Sequence, residues 1–170
     1  MKAVVQGLIV MTVLAASGAA AHAEEVKYAF VDVANVFDNY MKTKDNDRTL
    51  QDSGKKKEEE RDALVHEIRQ MKDELALMSD DAKAKKQETL NAKMKELQDF
   101  DRDARQALGE QRNKVVREIF KDIDDTVQRL GERKAVDMVF NERALLYHNP
   151  KNDMTKEVID ELNKGYAKKK

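Results

Sequence analysis

The sequence predicts a mainly α-helical protein with a small β base: a long antiparallel coiled-coil hairpin on a short-stranded oligomerisation body. Three observations lead there. Of the 170 residues, 38% are charged and only 5% aromatic, with a single proline; such a composition suits long solvated helices better than a thick core. Apolar residues recur at heptad spacing on both sides of one polar cluster, Ser79-Asp80-Asp81. Strand-like runs lie only near the two ends of this helical stretch.

The first segment reads as an address. Lys2 precedes an apolar run from Ala3 to Ala16, and Ala21-His22-Ala23 has the small-x-small form of a cleavage site. Residues 1–23 are therefore predicted to be a secretory signal peptide. The remainder contains no cysteine, so no disulfide can reinforce a thin core. Lys and Arg total 32 against 33 Asp and Glu, a formal net charge of −1. That balance argues against a nucleic-acid binder, which needs a basic excess to displace counterions.

Residues 26–33, VKYAFVDV, have the β-branched and aromatic content of a strand, and Asn35 to Tyr40 follow as a short helical turn. The hairpin arm is predicted over 46–111, with its turn near 79–82 where Ser79 or Asp80 caps the returning helix. Before the turn, Leu64, Ile68, Met71, Leu75 and Met78 alternate at spacings of four and three. After it, Leu90, Met94, Leu97, Asp101, Ala104, Leu108, Gln111 and Val115 do the same. These are heptad seams. Laid antiparallel, they pair Met71 with Leu90, Ile68 with Met94, Leu64 with Leu97 and Arg61 with Asp101. Further down, Lys57 faces Ala104, Gly54 faces Leu108 as small against large, and Leu50 faces Gln111.

The body is predicted from 24–45 and 112–170. Apolar residues thicken from Val115 to Leu130. Strands are expected at 137–140 and 144–147 around a turn at Asn141-Glu142-Arg143, followed by a final helix capped by Thr155 or Asp153. Three short strands expose open edges and carry little apolar area, so the base is expected to need other copies of itself.

Candidate functional residues cluster toward the arm tip. Methionine adapts its shape to different partners; Met71, Met78 and Met94 are candidates for contact with a bound polypeptide, Met71 and Met94 doubling as seam residues. Lys83, Lys85 and Lys86 form a basic cluster beside the turn, readable either as a site for anionic partners or as a solvated helix end. The pattern contains no HExxH, no glycine-rich phosphate loop and no nucleophile–base arrangement, so neither enzyme activity nor a cofactor or metal is expected.

KYAFVDVANVF after a signal peptide, LMSDDAKAKK at the hairpin turn and DMVFNERALLYHNPKNDMTKEVIDELNK at the end together resemble the Skp/OmpH family of periplasmic chaperones across the mature chain. Met41 departs from the family pattern, which often has proline after the tyrosine. The resemblance implies a Skp-like homotrimer whose helical arms enclose a cavity. It further implies ATP-independent holding of unfolded outer-membrane β-barrel proteins in the periplasm, and contact with lipopolysaccharide or an anionic membrane surface. The competing expectation is an envelope coiled-coil spacer or adaptor that binds a folded partner through its arm tips. Polar interruptions of the seam at Lys57, Arg61, Asp101 and Gln111 weigh against a stiff spacer.

Overall fold

The computed structural model describes residues 26–169, the side chains of Asp80, Asp81 and Lys169 excepted; the signal peptide expected at 1–23 lies outside them. The chain runs through β1 (Tyr28–Val31), α1 (Val33–Asn39), α2 (Met41–Ala76), α3 (Asp80–Lys134), β2 (Met138–Asn141) and α4 (Thr155–Lys169), with short 3₁₀ turns at Glu142–Ala144 and Pro150–Asn152.

β1 is shorter than the predicted 26–33 because Asp32 ends it. The Asp32 carboxylate accepts from the Ala34 and Asn35 N–H groups, each at 3.0 Å, and so caps α1. α1 stops at Tyr40, whose extended backbone separates it from α2. Met41 is thus the first residue of α2. That is the helix position where proline is most at home, because its missing N–H would have no intrahelical partner. The family's proline and this chain's methionine therefore suit the same corner.

The arm is α2 and α3, about 55 and 80 Å long at 1.5 Å per residue, joined through Leu77–Ser79. Ser79 occupies the N-cap of α3, but its side chain makes no capping bond. The predicted register is realised where it can be read most directly: Arg61 Nε donates to Asp101 Oδ1 at 2.9 Å. Lys93 meets Glu67 at 3.1 Å and Lys86 meets Glu74 at 2.6 Å across the hairpin.

Two seam details differ from expectation. Met94 is 40% exposed and stands outside the small cluster of Ile68, Leu75 and Leu90, against which Met71 and Leu97 pack. Met94 thus lies at the seam's edge, although Leu90 and Leu97 on either side of it stay in the seam. Gly54 makes no close approach, since a Cβ there would meet nothing within 4 Å. Lys57 bonds Glu60 at 2.6 Å, and its ammonium lies 5.2 Å from the ring centre of Phe100 on the facing helix.

Among the described residues the base contains two strands instead of three. β1 and β2 pair in parallel, Tyr28 opposite Met138 through Val31 opposite Asn141. A parallel pair needs a long crossover, and the entire helical hairpin supplies it. The predicted strand at 144–147 is absent: Ala144 ends a 3₁₀ turn capped by Asn141, and Leu146 and Tyr147 project into solvent. A strand needs a ladder partner for its backbone groups, and none is offered there within one chain.

Ala29 and Val31 pack into the principal core with Val36, Tyr40, Ile119, Ile123, Leu130, Met154, Val158 and Leu162. Phe30 lies 3.9 Å from the His148 ring, centroid to centroid. The hairpin leaves α3 through a Schellman turn, with Val136 N–H bonding the Gly131 carbonyl and Ala135 N–H that of Glu132. The left-handed position is Ala135, at φ 52°, while Gly131 remains inside the helix. Of the two predicted caps, Asp153 and not Thr155 satisfies a free N–H at the start of α4. Met154 supplies the first accepting carbonyl, Asp153 accepts the Thr155 N–H at 2.8 Å, and the Thr155 hydroxyl instead accepts from Asp32 N–H at 2.9 Å.

Candidate functional site

The arm tip combines a thin apolar seam with ion pairs and exposed apolar side chains. Met71 is partly buried against the Ile68–Leu75–Leu90 cluster. Met78 in the turn is more than a third exposed, as is Met94 on the returning helix. Both can be touched by another molecule, and Met71 is chiefly a seam residue. Sequence periodicity passed over Leu77, which falls off the four-three spacing and is 90% exposed at the very tip. Val65 also faces outward from α2.

The three tip lysines do not form one open patch. Lys86 is held by Glu74, Lys83 is partly buried and engaged, and Lys85 alone of the three is exposed. Further along, the hydrogen bonds that Lys93 donates to Glu67 and then to Glu96 raise its ammonium above its usual pKa, since each favours the charged form. Fixed charges thus alternate with apolar side chains along the arm surface.

The base has an apolar exterior of its own. Tyr28 and Met138, opposite each other in the sheet, are both nearly half exposed, and Phe140, Leu146 and Tyr147 add to that exterior. At the arm root, Phe37 stacks on Phe120 with ring centres 5.5 Å apart. An ionic network fixes α2 to the base. Lys42 reaches Asp122 at 2.9 Å and Glu118 at 3.6 Å, and the Tyr40 hydroxyl donates to Asp122 at 3.2 Å. Burial, reinforced by the Asp122 charge, pushes the Tyr40 hydroxyl far above its ordinary pKa.

The two described histidines have local partners, His66 with Gln70 and His148 with Glu142, each at 3.0 Å. Among the described residues no group of His, Cys, Asp and Glu is arranged to hold a metal, and no helix is long and apolar enough to cross a membrane.

A helical arm rooted in a two-stranded base defines an arm-bearing hairpin protein with exposed apolar side chains spread along the arm. The chain belongs to the OmpH-like outer membrane protein family, whose description matches residues 27–162. A candidate outer membrane chaperone (OmpH-like) from Caulobacter crescentus CB15, known from its crystal structure, shares the fold with a TM-score of 0.76. The two chains are 14% identical, over 82% of this chain and 85% of the other. No curated protein matches the sequence significantly.

Proposed function

We propose that this protein is a periplasmic holding chaperone that acts without nucleotide and without catalysis. It binds unfolded outer-membrane β-barrel proteins between helical arms and prevents their aggregation before membrane insertion. The observation that carries this reading is the contrast along the arm. Ile68, Leu75 and Leu90 are its buried apolar cluster, whereas Val65, Leu77, Met78 and Met94 stay exposed. A weakly sealed arm can part and re-form at low cost. Exposed apolar and methionine side chains among fixed charges bind many sequences weakly. An unfolded barrel strand offers the complement, because every second side chain is apolar.

The apolar exterior of the base supports self-association, and three copies are the number the family resemblance implies. Tyr28, Met138, Phe140, Leu146 and Tyr147 are the residues assigned to that contact. Lys85 is the tip lysine available to lipopolysaccharide or another anionic surface.

The test dilutes a urea-unfolded outer-membrane β-barrel protein into buffer without ATP, with and without the mature chain. Light scattering is expected to stay low at about one trimer per client. Aggregation as fast as in the control would return the protein to the spacer or adaptor reading.

A further inference from the structure

We infer that the root of α2 is a two-position joint, latched shut by Asn163 of α4 and biased open by the buried hydroxyl of Thr43. The two helices of the arm enter the base differently. α3 runs unbroken from the tip into the base, over Asp80–Lys134, and forms the spine. α2 is tied to the base through one extended residue, Tyr40, at φ −72° and ψ 126°, so it is the helix that can shift at its root. This joint goes beyond the holding function and does not depend on it.

Asn163 closes the joint across 122 positions of sequence. Tyr40 occupies the N-cap of α2 but its side chain makes no capping bond, and the first N–H groups of a helix have no intrahelical partner. Asn163 Oδ1 accepts the Met41 N–H at 2.7 Å, and Asn163 Nδ2 donates to the Asn39 carbonyl at 3.2 Å. One amide thus ends α1 and begins α2, and it can do so only while that turn of α4 is docked. Methionine at 41 keeps the N–H that a proline would lack. One turn further on, the Tyr166 hydroxyl donates to Asp45 at 3.2 Å, and its ring meets that of Tyr40 edge-on at 5.9 Å.

Thr43 acts in the opposite sense. It is 5% exposed, and its Oγ1 is sealed from solvent with no hydrogen-bond partner among the described residues. Along the same helix, Thr49 and Ser53 donate to the carbonyl four residues back, at 3.0 and 2.9 Å. For Thr43 that carbonyl belongs to Asn39, which lies across the break at Tyr40 and is taken by Asn163. A buried hydroxyl left unpaired costs free energy that contact with water returns. The closed root therefore carries a load that opening removes.

Other contacts resist that load only in part. Lys42 reaches Glu118 and Asp122, whose carboxylates are 48% and 34% exposed, and salt screens such pairs. Above the root, among the described residues, none of α2 between Thr43 and Ile68 is buried, nor any of α3 between Leu90 and Ile119. Packing thus holds α2 at its two ends and leaves the middle loose. The lower end is the one at which the Asn163 latch and the Thr43 load oppose each other.

The experiment is hydrogen exchange read by mass spectrometry, on the mature full-length protein in its native assembly and at high salt. Asn163→Ala should speed amide exchange at residues 41–53 about three- to tenfold, the worth of one hydrogen bond, and leave residues 64–76 unchanged. Alanine is the stronger helix former, so a weakened α4 would not explain that change. Asn163→Asp keeps an acceptor for the Met41 N–H and should restore most of the protection. Thr43→Val, of similar shape, should slow exchange at 41–53 about fivefold or more, because it removes the buried hydroxyl and breaks no bond. Opposite signs at the two positions distinguish a balanced joint from two ordinary packing contacts, which would both speed exchange when cut. Unchanged exchange at 41–53 in Asn163→Ala or Thr43→Val, the same sign in both, or an equal change at 64–76 would overturn the joint. So would an Asn163→Asp variant no better protected than Asn163→Ala.

Discussion

The base and the arm share the long helix α3 and are stabilised differently. In the base, α3 buries Ile119, Ile123 and Leu130 against both strands' neighbourhood and α4. In the arm, among the described residues, each helix faces the other alone, and the buried cluster shrinks to Ile68, Leu75 and Leu90. Two helices in contact cover one stripe of each other, whereas a third and fourth element close a core. The difference lies in how many elements surround a residue, more than in how apolar the residue is.

Paired truncations offer the largest effect with which to break this comparison. Ile123→Ala is expected to lower unfolding free energy by about 2–5 kcal/mol, as deletions in closed cores do. Ile68→Ala should cost nearer 1–2 kcal/mol, because solvent and the opposite helix can relax into the gap. Urea denaturation of the two variants checks this, and equal losses would mean that the arm is as closed as the base.

A smaller effect probes the joint between the two regions. Tyr40 is held in its neutral form by burial and by Asp122. A group whose folded pKa is raised contributes stability that is complete below its unfolded value, here about 10, and is lost as pH rises above it. The parent should therefore destabilise faster than Tyr40→Phe above pH 10. At neutral pH the variant should lose only about 0.5–1.5 kcal/mol, the net worth of the hydroxyl's bond to Asp122. Thermal melts across pH 7 to 11 measure both, and parallel curves would remove Tyr40 from the joint's pH response.

The smallest expected effect sharpens the picture of the arm. Arg61 and Asp101 cross the hairpin at 2.9 Å, but the two side chains are 46% and 28% exposed. Arg61→Ala should cost under about 1 kcal/mol and less at high salt. A larger, salt-independent loss would show that the pair seals the arm as well as setting its register.

The hairpin was legible in the sequence because its information is local and periodic. Heptad spacing and one polar turn pointed to both helices, and the antiparallel seams set an alignment that brings Arg61 to Asp101. Methionines and lysines near the tip were legible as candidates, but their roles were not. Lys86 is engaged by Glu74, Met71 packs into the seam and Met94 leaves it, because such fates depend on the rotation of one helix against another. The strand predicted at 144–147 failed for a related reason: β-propensity describes a residue's fitness for a sheet, and a sheet also requires a neighbour.

By itself, the sequence determined a long charged hairpin, its turn and its register, since side-chain periodicity acts within and between adjacent helices. Only the tertiary structure decided that β1 and β2 pair in parallel across the whole hairpin, that Asn163 occupies the corner between α1 and α2, and that the Thr43 hydroxyl is sealed in without a partner among the described residues. Those outcomes join residues more than a hundred positions apart, such as Met41 and Asn163. Local pattern carries no record of such distant meetings, which are settled by which buried polar groups can find partners once the chain has closed.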